Sequence, residues 1–208
     1  MEKEIKLNIP EDKLDFIYHV KGALSFNQCN NIIKFYDDNE EYYQKGSVYD
    51  LNSKSKISTS SELKKCTEIF VSTNLLIENK YFQSFDSIII KIIDEYKIKY
   101  NFLNYGPRWG MNKVFKIQKY LPSEGYFATH CENQGSCDTT RRMLAWMVYL
   151  NTVTDGGETE FPCQGVKFQP HCGDVLIWPA YWTHPHHGLT SPSQEKIIMT
   201  GWYSYYDT

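Results

Sequence analysis

The stretches MLAWMVYL (143–150), DVLIW (174–178) and KIIMTGWYSYY (196–206) decide the fold. Each is a short apolar run rich in β-branched and aromatic residues, set between Gly, Pro and Asn, and each predicts a strand. Working outward, VFKIQKY (114–120), ETEF (158–161) and VKF (166–168) have the same texture. Several short strands at this spacing predict a sandwich or barrel. Upstream of Tyr105–Gly106–Pro107 the texture changes to helical. Ser25 with Gln28 three residues on is a capping-box signature, and Phe26, Cys29, Ile32, Ile33 and Tyr36 follow at helical spacing. Phe82 to Tyr96 repeats the theme, with Phe85, Ile88, Ile89, Ile92, Ile93 and Tyr96 on one face. Gln44 to Ser61 is polar and Ser-rich, and predicts a loop. The expectation is an α+β protein: a supporting N-terminal helical layer (1–105) and a double-stranded β-helix, or jelly roll, over 106–208. With no repeat, low-complexity tract or linker in between, 1–208 is expected to be one domain.

The 208 residues are enough to bury a core without a disulfide or structural metal. A net charge of −3, with only Arg108, Arg141 and Arg142 as arginines, argues against a duplex nucleic-acid binder. Apolar stretches such as Ile88–Ile93, which is interrupted by Lys91, are far too short for a bilayer. MEKEIKLNIP has no signal-peptide pattern. The six cysteines (29, 66, 131, 137, 163, 172) include no CxxC pair and are expected to be free thiols. Together these features predict a cytoplasmic protein without membrane partners.

Five of the six histidines lie in the β half. A lone histidine on a β scaffold is more often structural than a ligand, but His130–Cys131–Glu132 stands out. Residues i and i+2 of a strand share a face, so His130 and Glu132 can enter one cavity. Two imidazoles and a carboxylate form the facial triad of non-haem Fe(II) oxygenases. His186 is the candidate third ligand, with His184 and His187 as competitors, and Asp138 competes with Glu132.

From His130 onward the chain continues with RMLAWMVYLN (142–151), DGGETEF (155–161), PHCGDVLIW (170–178), His186–x–Gly188 and Lys196, ten residues after His186. This ordered set resembles the prolyl 4-hydroxylase branch of the Fe(II)/2-oxoglutarate dioxygenases. The resemblance runs from Lys116 to Trp202 and, more faintly, over VKGALSFNQCNNII (20–33). One departure is Glu132, where that branch carries Asp. Glu is one methylene longer and still a hard oxygen donor.

The resemblance implies that His130, Glu132 and His186 hold Fe(II) and are the catalytic set. It implies that 2-oxoglutarate is bound by Lys196, with the hydroxyls of Tyr120, Tyr149 and Thr159 assisting, and that O2 is the oxidant, with ascorbate as an optional reductant. Lys196 read alone could equally be a surface lysine, and Tyr149 a core aromatic. Arg142, Trp202 and Phe127 match substrate-contacting positions, although Phe127 stands where the branch often has Tyr. The loops 133–140 and 44–61 are candidate lids. The implied reaction is hydroxylation of a prolyl residue in a peptide or protein, with succinate and CO2 as co-products. Free proline or another small amino acid, a nucleobase, or a non-enzymatic metal-binding jelly roll are the alternatives. The absence of Arg after Arg142 argues against the nucleobase.

Overall fold

In the computed structural model the described residues are 14, 16–49, 57–135 and 139–206. Cys137, Asp138 and parts of both candidate lid loops lie outside them. In chain order the elements are β1 (Tyr18–Val20), α1 (Phe26–Asp37), β2 (Gln44–Lys45), β3 (Val48–Tyr49), β4 (Ile57–Ser58), β5 (Thr67–Ser72), α2 (Leu75–Glu78) and α3 (Phe85–Lys99). They continue with β6 (Trp109–Met111), β7 (Val114–Tyr120), β8 (Tyr126–His130), β9 (Arg142–Tyr149) and β10 (Thr159–Phe161). β11 (Val166–Phe168), β12 (Val175–Pro179), β13 (His186–Gly188) and β14 (Lys196–Tyr205) complete the chain. The larger sheet runs β1-β12-β9-β14-β7-β5-β2, with β6 on β14, and the smaller runs β11-β10-β13-β8. Every pairing is antiparallel, as in a jelly roll.

Strand β9 shows why its sequence is apolar throughout. Leu144, Trp146 and Val148 point into a core shared with the helices, whereas Ala145, Met147 and Tyr149 point into a second core between the two sheets. A strand buried on both faces loses the alternation of a half-exposed one. The packing is close. A Cβ on Gly201 of β14 would stand 2.5 Å from the Trp146 ring, so only glycine fits there.

The helices cover the outer face of the larger sheet. Ser25 caps α1: its Oγ accepts from the Gln28 N–H, and the Gln28 side chain accepts from the Ser25 N–H. The buried stripe is Cys29, Ile32, Phe35 and Tyr36. It is centred near Ile32, and Phe26 and Ile33 fall about 90–110° from that centre. Phe26, expected in the core, is accordingly 68% exposed. In α3 the expected face is buried at Phe85, Ile89, Ile92, Ile93 and Tyr96. Phe82 stays in the core but precedes the helix, because Ser84 adopts φ 66° and interrupts the chain there.

The N-terminal half is more than a helical layer. It also supplies β1 at one edge of the larger sheet and β5 and β2 at the other. β5 escapes a sequence reading because a charged residue, Glu68, occupies a fully buried position in it. The five described cysteines are free thiols. No helix among the described residues is long and apolar enough to cross a membrane.

Candidate active site

His130 closes β8, His186 opens β13, and the two are paired directly across the antiparallel ladder. Both imidazoles therefore project from one face of the smaller sheet. Each ring is oriented by its far nitrogen: Nδ1 of His130 lies 3.0 Å from the Ala128 carbonyl, and Nδ1 of His186 lies 3.0 Å from the His184 carbonyl. A carbonyl can only accept, so Nδ1 carries the proton and Nε2 presents its lone pair to the centre. Glu132, two residues past His130, brings Oε1 to 3.6 Å from His130 Nε2 and 3.3 Å from His186 Nε2. The three donor atoms lie within 4.8 Å of one another. Metal bonds of about 2.1 Å put adjacent octahedral positions about 3 Å apart, so this donor set fits a divalent iron with small adjustments.

Glu132 Oε2 is held from the other sheet. It accepts a 2.7 Å hydrogen bond from Trp202 Nε1, and Arg142 Nη1 lies 3.5 Å away. The Arg142 guanidinium stacks 3.7 Å over the Trp202 ring and also donates to the Glu132 carbonyl. Burial opposes ionisation of Glu132, but the two imidazoles outweigh it and hold the carboxyl well below its usual range. Burial and the neighbouring His186 push His130 down, so its imidazole is neutral. A carboxylate beside a neutral imidazole is the metal-binding state.

The competing histidines point elsewhere. His184 is buried with Nδ1 2.8 Å from the Thr183 hydroxyl, and His187 Nε2 lies 3.2 Å from Glu160. Neither joins the donor cluster, and Asp138 lies outside the described residues.

A cavity of about 730 Å³ opens from the triad between the sheets, with Lys196, Tyr120 and Thr159 in its wall. Lys196 is buried, donates to the Gly157 carbonyl at 2.9 Å and sits 5.2 Å over the Tyr120 ring. Gly156 and Gly157 both have positive φ (72° and 79°), the tight turn that aims this carbonyl. Burial pulls the Lys196 ammonium down to about 8, as expected for a cation whose carboxylate partner arrives with a ligand. The Tyr149 hydroxyl stands behind Thr159, 2.8 Å from its Oγ1 and 3.2 Å from the Phe168 carbonyl. It braces that hydroxyl rather than facing the cavity.

Phe127 requires a correction. Strand alternation puts residues 126, 128 and 130 on the cavity side of β8 and turns Phe127 outward, where it is 40% exposed and does not line the cavity. The aromatic at the site is Tyr126, stacked on His130 with centroids 3.7 Å apart and planes 14° from parallel. Counting back by two from His130 would have found it.

Residues 115–204 match the family model of the 2OG-Fe(II) oxygenase superfamily. A 104-residue stretch is 30% identical to a protein of Acanthamoeba polyphaga mimivirus whose name proposes prolyl 4-hydroxylase activity. That match covers 42% of this chain and 43% of the mimivirus protein, so the chain spans less than half the length of that relative. The fold is similar to the viral collagen prolyl hydroxylase of Paramecium bursaria Chlorella virus-1 in its 2-oxoglutarate complex. The TM-score is 0.68 at 17% identity, over 95% of this chain and all of that one. It is similar also to a Trichoplax adhaerens prolyl hydroxylase in complex with a hypoxia-inducible factor peptide fragment, with TM-score 0.68 at 15% identity over 92% of this chain and 84% of that one. At such identities the structures speak for the fold, and the family match speaks for the strands that carry the site. The family match falls on the β-rich part of this chain, residues 115–204, and that stretch contains all three donors of the candidate metal site.

Proposed function

We propose that the protein is an Fe(II)- and 2-oxoglutarate-dependent dioxygenase that hydroxylates a prolyl residue of a peptide or protein. In this reading residues 1–208 act as one unit, with 106–208 as the catalytic core. One observation carries it: two oriented imidazole nitrogens and an ionised carboxylate share a cavity with a buried lysine that has no anionic hydrogen-bond partner among the described residues.

His130, Glu132 and His186 would hold the iron on one face, leaving the cavity side open. Lys196 would bind the distal carboxylate of 2-oxoglutarate as a charge-assisted pair, with Thr159 and Tyr120 beside it. The bound iron and co-substrate supply the oxidation: one atom of O2 enters succinate as CO2 is lost, and the other enters the substrate C–H bond. The protein orients both partners and excludes water. Trp202 and Arg142 hold Glu132 Oε2, which would leave Oε1 for the metal, and both also line the cavity. The prolyl target is supported by the mimivirus relative's name and by the fold shared with prolyl hydroxylases. A mass-spectrometric screen of proline-containing peptides with Fe(II) and 2-oxoglutarate tests it. A +16 Da product that requires 2-oxoglutarate is expected; succinate formation without any modified prolyl peptide would remove proline as the target.

A further inference from the structure

One charged row of the cavity wall is used neither by the metal nor by the co-substrate. Because β7 alternates, Val114, Lys116, Gln118 and Tyr120 face the cavity in turn. Lys116 is opposite Thr200 on one side and Phe70 on the other, four residues from the Tyr120–Lys196 pair. That is about 13 Å along the strand, farther than a five-carbon diacid held on Lys196 can reach. Lys116 thus lines the cavity away from its Lys196 end, on the Val114 side.

Behind it lies Glu68, fully buried and saturated with donors. Lys64 Nζ is 2.7 Å and Gln118 Nε2 2.8 Å from its Oε2, while Lys116 Nζ and the Ser47 hydroxyl are each 2.9 Å from its Oε1. The carboxyl stays ionised: burial would raise it, but the two ammoniums hold it at about 2. Two ammoniums therefore share one carboxylate. Their side chains are only 1% and 12% exposed, and both line the cavity. Among the described residues this buried cluster has one cation in excess, which is costly unless an anion completes it. Lys116 shows the imbalance, since burial and the neighbouring Lys64 depress its ammonium. Among the described residues its other contacts are weak acceptors, Ser47 Oγ at 3.5 Å and the face of Phe70 at 4.5 Å.

We propose that Lys116 and Lys64 form a carboxylate-binding subsite, so that the substrate carries an anionic carboxylate beside the carbon to be hydroxylated. The proposal deepens the hydroxylase reading and rests on it. The carboxylate has two possible sources, an acidic side chain next to the target proline or the α-carboxylate of free proline.

Two matched ligand pairs separate them: Ac-Asp-Pro-Asp-NH2 against Ac-Asn-Pro-Asn-NH2, and L-proline against L-prolinamide. Each is titrated anaerobically into the protein loaded with Fe(II) and 2-oxoglutarate. In one pair the acid should bind at least about tenfold tighter, as for a charge-assisted contact. That pair identifies the source. The preference should vanish in Lys116→Met, where Glu68 keeps Lys64 as its partner, and return in Lys116→Arg. No preference in either pair, including no binding at all, would overturn the subsite. So would a preference that survives Lys116→Met, or a Lys116→Met protein whose loss is in 2-oxoglutarate affinity. Admitting O2 reads the hydroxylase proposal separately: an acid-selective ligand that never gains 16 Da would keep the subsite and remove prolyl hydroxylation.

Discussion

Replacing Trp202 by Phe removes one N–H and keeps the ring. In the parent that N–H donates at 2.7 Å to Glu132 Oε2, and Arg142 stacks on the same ring. A Phe can keep the stacking surface, so the change isolates the hydrogen bond to the carboxylate. Hydrogen bonds to charged groups contribute about 1.5–3 kcal/mol, and loss of outer partners of metal ligands typically costs about 10–100-fold in metal affinity. Trp202→Phe should therefore weaken metal binding by roughly tenfold to a hundredfold. Co(II) is a suitable probe because its visible absorption reports occupancy of a His/His/carboxylate site without turnover. Affinity for 2-oxoglutarate at saturating metal should change much less, because Lys196 lies six residues away on β14. A Trp202→Phe protein that binds Co(II) as tightly as the parent would refute the claim that Glu132 depends on this bond. Trp202 would then matter only as a surface for substrate.

Lys196→Ala should weaken 2-oxoglutarate by roughly ten- to a hundredfold or more while leaving metal affinity nearly unchanged, with Lys196→Arg intermediate; anaerobic titration measures all three. In the parent, 2-oxoglutarate affinity should fall as pH rises through about 8, because the buried ammonium of the free protein loses its proton there; a flat profile from pH 7 to 9 would contradict a charge-paired Lys196. Glu132→Asp shortens the side chain by about one C–C bond, ~1.5 Å, and should keep measurable turnover with weaker metal binding. Glu132→Ala should lose both, and full activity in it would bring another donor into play. His130→Ala and His186→Ala should abolish metal binding with the fold intact by circular dichroism, whereas His184→Ala and His187→Ala should still bind; metal loss in His187→Ala alone would redraw the triad.

Much of the site was legible because its chemistry is local. His130 and Glu132 are two residues apart, and the carbonyls that orient both imidazoles belong to residues two positions before them. The spacing of Lys196 from His186 likewise reflects consecutive strands, β13 and β14, each opened by one of the two residues. What escaped reading is non-local or runs against pattern. The Trp202–Glu132 bond joins residues 70 positions apart, one on β14 and one in the loop after β8. Glu68 sits where a strand pattern calls for an apolar side chain, so β5 had no signature, and its balancing lysines are meaningful only once β5 and β7 are paired. Phe127 and Phe26 show the opposite error. Phe127 was placed by the resemblance and Phe26 by spacing, and a shift of one position in a strand or about 100° on a helix turned them outward.

The Trp202–Glu132 contact also ties together two elements that could otherwise move apart. Metal donors come from the smaller sheet and its following loop, whereas Lys196 and Trp202 lie on one strand of the larger sheet. A ligand that draws β14 towards the cavity steadies the carboxylate as well, so the two loading events share free energy. By linkage the effect must be equal in both directions: whatever factor 2-oxoglutarate adds to metal affinity, the metal adds to 2-oxoglutarate affinity. Retention of iron when co-substrate is scarce would thus depend on the gap between two sheets, bridged at this point by the Trp202 indole N–H and the Arg142 guanidinium.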